Sequence, residues 1–98
     1  MMVHPEELLN EITGLAEAFT KPSDIARIIE LPEEAFLEEL RKPDSAFQRA
    51  FLKGKLISEA KLRKSIIAIA CQGSAPAQAL AIKLRDELDM SLIKKKIV

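Results

Sequence analysis

The stretch PSDIARIIELPEEAFLEELR, residues 22–41, decides how the rest of the chain is read. Pro22 is tolerated in a first helical turn, where backbone N–H groups have no intrahelical partner. The short helix it opens carries Ile25, Ala26, Ile28 and Ile29, with the isoleucines on one face. Glu30-Leu31 makes a tight turn, and Pro32 launches a second helix to about Lys42, anchored by Phe36, Leu37 and Leu40. This is the layout of a helix-turn-helix. Ala26 is the small residue that two steeply crossing helices need at closest approach, and Leu31, Phe36 and Leu40 are expected to pack the second helix down. Glu30 or Leu31 stands where many such motifs carry glycine.

Working outward, the other prolines repeat the signal, since Pro5, Pro43 and Pro76 also sit where helices can begin. Leu8, Ile12, Leu15 and Phe19 form one apolar stripe, predicting a first helix from Pro5 to Phe19 that completes a three-helix core. Pro43-Asp44 ends the third helix, and Ser45 with Gln48 fits a capping box. A long helical pattern then runs to Gln72, with Phe47, Phe51, Leu62, Ile66 and Ile69 sharing a face if it is continuous. Gly54 inside it marks a kink, a break or a close helix crossing. Gly73-Ser74 reads as a stop and restart, glycine closing one helix and serine capping the next. The last helix, about Ala75 to Leu88, places Ala77, Leu80, Ala81, Leu84 and Leu88 on one face. No stretch sustains strand alternation. The expected fold is all-α, a single helical domain over residues 1–98. It comprises a helix-turn-helix unit at about 5–42, a helical extension at 44–90 and a basic tail at 91–98.

With 98 residues, 48% hydrophobic and 31% charged, the composition is that of a globular chain, and its four aromatics are all Phe. The single cysteine, Cys71, lies in the apolar run Ile66–Cys71 and reads as a buried structural thiol. No apolar stretch reaches the roughly 20 residues that span a bilayer, and no export signal is evident, so the expected compartment is the cytoplasm, with no membrane partner. Net charge is zero, but the sum hides polarity. Residues 1–40 hold ten acids against two bases, whereas residues 41–64 hold eight bases against Asp44 and Glu59. Such a split points to a partner for the basic segment or to self-association between acidic and basic faces.

The bases that could meet a polyanion are Lys21, Arg27, Arg41, Lys42, Arg49, Lys53, Lys55, Lys61, Arg63 and Lys64. On a continuous helix Arg49, Lys53, Arg63 and Lys64 fall within a stripe of about 100°, a shape that can track a phosphate backbone, although Leu56 and Ile67 would point the same way. The second helix of the motif carries Glu33, Glu34, Glu38 and Glu39, which argues against major-groove readout, because carboxylates repel phosphates and match few base edges. The only histidine, His4, precedes Pro5 and is better placed to cap a helix than to do chemistry. No nucleophile–base pair, zinc set or glycine-rich phosphate cradle can be assembled, so neither an enzyme nor a cofactor is expected.

The segment FQRAFLKGKLISEAKLRKSIIAIACQGSAPAQALAIKLRDE carries a further signal. Its Phe47–Ala50–Gly54–Lys55 stretch, charged helix, Ala70–Gly73 ending and following Ala79 resemble phage terminase small subunits and related phage-type helix-turn-helix proteins. The resemblance covers roughly residues 20–88. It implies a DNA-packaging adaptor, an oligomer that recognises viral duplex DNA and hands it to the ATP-driven terminase large subunit. Residues 22–41 would then be the DNA-binding unit and 45–88 a helical assembly region. A stand-alone DNA-binding relative, or a helical interaction module without DNA binding, is the alternative.

Overall fold

The computed structural model describes residues 5–94, and these are all-α. They form α1 (Pro5–Glu17), α2 (Pro22–Ile28), α3 (Glu33–Arg41), α4 (Ala46–Cys71) and α5 (Ala75–Lys94). His4 and the end of the basic tail, with Lys95 and Lys96, lie outside the described residues. The chain divides into two compact units, 1–59 and 60–98. The first therefore runs past Lys42, where the sequence reading ended the helix-turn-helix unit, and takes in the first half of α4.

In the first unit, α1 to α3 and the start of α4 close around Ile12, Ile25, Ala26 and Phe36, all with no exposed surface. Leu8, Leu15, Ile29, Leu31, Leu40, Phe47 and Phe51 are partly buried against that core. Phe36 and Phe47 meet with ring centroids 5.6 Å apart and planes tilted by 46°, a favourable aromatic geometry. Ala26 is closed off at the α2–α3 crossing as its size requires. Ile28 is not on the inner face expected of it and stays half exposed, because Ala26 and Ile29 share that face with Ile25.

The turns between these helices are built alike. α1 ends two residues before the expected Phe19, where the Phe19 N–H bonds Ala16 O and the Thr20 N–H bonds Leu15 O. α2 ends the same way, through the Glu30 N–H to Arg27 O and the Leu31 N–H to Ala26 O. Both are Schellman closures, with Phe19 (φ +58°) and Glu30 (φ +60°) in the left-handed position that glycine usually fills. Glu30 is thus the residue standing in for the turn glycine.

Ser45 and Gln48 join α3 to α4 more thoroughly than a simple capping box. The Ser45 hydroxyl accepts the Gln48 N–H (3.1 Å) and donates to Glu39 O (2.6 Å). The Gln48 side chain accepts the N–H of Asp44 (2.9 Å), one residue before the cap, and donates to Leu40 O (3.1 Å). It does not reach the Ser45 N–H, since that group is already turned to Lys42 O.

Gly54 does not break α4, which runs without interruption from Ala46 to Cys71, and it lies at a close crossing. A Cβ there would lie 2.2 Å from Thr13 O and 2.8 Å from the Ala16 Cβ, so α1 and α4 approach backbone to backbone. Flanking this contact, the Thr13 hydroxyl lies 3.0 Å from Ala50 O, and Ser58 donates to Glu17 O.

The second unit is a helical hairpin. Gly73 (φ +105°) reverses the chain and Ser74 caps α5, its hydroxyl accepting the Ala77 N–H at 3.3 Å. Gln78 donates back to Ala70 O at 3.1 Å, the same eight-residue reach that Gln48 makes to Leu40. Among its described residues only Ala70 and Ala77 are buried. Leu62, Ile69, Leu80 and Leu88, expected on inner faces, are about half exposed, while Ile66, Ala81 and Leu84 are the further apolar residues that the two helices partly cover. Cys71 is exposed, not buried: neighbouring Ala70 takes the inward position, and a helix turns its next residue away. α5 also runs past the expected end near Leu88 to Lys94, so the tail expected at 91–98 begins as helix.

Candidate nucleic-acid interface

In the first unit Lys21, Arg27, Arg41, Lys42, Arg49, Lys53 and Lys55 are all exposed. Helical geometry positions them. Lys21 precedes the first turn of α2 and Arg27 lies in its last, where a cation also complements the helix dipole. Arg41 closes α3. On α4, Lys53 follows Arg49 by about 40° around the axis, while Lys55 projects about 240° away and belongs to another side.

Several of these charges are engaged within the unit. Lys42 pairs with Glu39 at 2.8 Å, and the hydrogen bond to that carboxylate, then its charge and that of Glu38, raise the Lys42 ammonium above its ordinary value. Lys55 pairs with Glu59 at 3.3 Å, and Arg49 donates to Asp44 O. These are exposed contacts of the kind that contribute little and exchange easily with a competing anion. Glu33, Glu34 and Glu38 project from α3 into solvent, so its outer face is acidic.

In the second unit Lys61, Arg63 and Lys64 are exposed on α4. Arg63 does not stand on an open ridge. Together with Arg85 it borders a depression of about 610 Å³ between the helices, floored by Ile67, Ala81, Leu84 and Leu88. The proposed stripe of Arg49, Lys53, Arg63 and Lys64 thus includes one residue whose neighbours are those of a hairpin groove. Arg85, which sequence reasoning passed over, occupies the same rim. The i, i+3 and i+4 spacing of Ala81, Leu84, Arg85 and Leu88 was the available signal for it.

No polar or charged side chain is buried among the described residues, and no three His, Cys, Asp or Glu gather where they could hold a metal ion. Among the same residues no helix is long and apolar enough to cross a membrane. No family model, curated protein or solved structure matches the chain.

Proposed function

We propose that the chain is a non-catalytic helix-turn-helix protein that binds duplex DNA as an oligomer, in the manner of a phage DNA-packaging adaptor serving a terminase large subunit. The observation that carries this reading is the α2–α3 pair closed on Ala26, with exposed cations at Lys21 just before α2, at Arg27 on it, and at Arg49 and Lys53 on α4. In this reading the acidic α3 does not read bases, and affinity comes from phosphate contacts. Binding then falls linearly on a log–log plot against salt, with a slope of roughly −0.9 per phosphate engaged. An electrophoretic shift with duplex DNA at two salt concentrations tests it. Replacing Lys21, Arg27, Arg49 and Lys53 together by Glu abolishes the shift, and a wild-type chain that shifts no duplex at low salt ends the proposal.

A second reading, a protein-interaction or oligomerisation module without DNA binding, draws on the hairpin. Leu62, Ile67, Ile69, Leu80, Ile82 and Leu88 are each 49–59% exposed there, a burden that a segment of this size sheds by association. If acidic and basic faces of neighbouring copies pair, reversing Glu34 and Glu38 changes the mass measured by light scattering. An unchanged mass excludes that pairing.

A further inference from the structure

Phe19 is placed against the interest of the unit that carries it, on two independent counts. Its backbone is left-handed (φ +58°), a conformation that a bulky L-residue adopts at a cost and that glycine would adopt freely. The residue is 57% exposed and stands outside the hydrophobic core that Phe36, Phe47 and Phe51 help to build. Glu30 and Asp44 share this backbone conformation, but they are polar; neither local conformation nor packing within the chain favours an aromatic at position 19.

Beside Phe19 lies a depression of about 240 Å³, lined by Ala16, Thr20, Pro22 and Phe51 and flanked by Lys21 and Lys55. Its volume is below the roughly 300 Å³ at which small-molecule sites begin, but it suits one or two side chains. Apart from Thr20 and the two lysines its lining residues are apolar, and the two ionisable residues among them are both cationic. They stand out on a unit whose described residues carry twelve acids against seven bases. Lys55 shares its charge with Glu59 at 3.3 Å, an exposed contact that a partner carboxylate can replace.

We propose that Phe19 and this depression form a docking point for an acidic, amphipathic segment of a partner protein. An apolar side chain of that segment packs on Phe19 and fills the depression. Carboxylates on its adjoining turns meet Lys21 and Lys55, which set orientation and favour acidic sequences. Duplex DNA supplies the charge but keeps its bases paired and stacked inside, so it brings no protruding apolar group to this wall. The inference does not rest on DNA binding.

The test titrates the isotopically labelled full chain, by NMR, with a synthetic amphipathic peptide bearing Leu and Phe on one face and Glu on the other. A counterpart with Lys for Glu serves as control. The acidic peptide shifts the amides of Phe19, Thr20, Lys21, Phe51 and Lys55, and the lysine counterpart does not. Phe19→Gly weakens binding by roughly tenfold or more, as loss of a central aromatic anchor does, while the thermal midpoint holds or rises because the strained backbone is relieved. Three results each overturn the proposal: no shifts at millimolar peptide, undiminished binding by Phe19→Gly, or shifts at these amides with duplex DNA that the acidic peptide neither reproduces nor displaces.

Discussion

At Gly54 a single missing carbon decides whether two helices can meet. Adding a methyl there sets a side chain 2.2 Å from the Thr13 carbonyl, which is backbone and cannot swing aside. Overpacking of this kind costs about 1–3 kcal/mol and outweighs the roughly 1 kcal/mol of helix propensity that alanine adds. Gly54→Ala therefore lowers the urea midpoint, whereas Gly14→Ala, with nothing within 4 Å of the added carbon, raises stability by about 0.5–1 kcal/mol. Lys42 offers a second test at this scale. Its ammonium is held above the ordinary value by Glu39, so Glu39→Gln returns it toward that value in an NMR titration. Because the folded value is the raised one, the associated stability is fully present below the unfolded value and is lost only as pH rises through the folded one. Varying pH around neutrality leaves it untouched.

Among the elements, the two serine caps do the same work in different units. Ser45→Ala removes the acceptor for the Gln48 N–H and the donor to Glu39 O, and an N-cap loss of this type costs about 1 kcal/mol. Ser74→Ala removes a longer contact, 3.3 Å to the Ala77 N–H, and is expected to cost less. Amide hydrogen exchange separates the two. Ser45→Ala speeds exchange at the start of α4, and Ser74→Ala does so at the start of α5. Pro43 lies in the turn before Ser45 and starts no helix. The two serine caps, like the starts at Pro22, Pro32 and Pro76 and the Gly73 stop, were legible beforehand because their chemistry spans four or five residues of local sequence. The ends of α1 and α5 were not. Phe19 looked like the next rung of an apolar stripe but closes a Schellman turn, and nothing after Leu88 in the sequence marks the helical turns that carry α5 to Lys94.

For the molecule as a whole, the two units differ in how well they satisfy themselves. The first buries Ile12, Ile25 and Phe36 completely. The second leaves Ile82, Met90 and Ile93 at 50%, 54% and 68% exposure, opposite the face α5 turns to α4. Association of copies through this hairpin predicts that Ile82→Glu with Met90→Glu lowers the light-scattering mass toward that of one chain while the helical circular dichroism of the first unit survives. A mass equal to wild type would place the contact elsewhere.

Composition, proline and serine signals and apolar periodicity alone determined that the described residues are helical and about where most of the helices start, because propensity and capping act between neighbours in sequence. Tertiary structure decided which side of each helix is covered. It made Gly54 a close contact and not a break, turned Cys71 and Leu62 outward, and set Arg63 on the rim of a groove. The physical reason is that burial depends on what another segment brings to the face, and periodicity marks apolar positions without saying which of them a partner reaches.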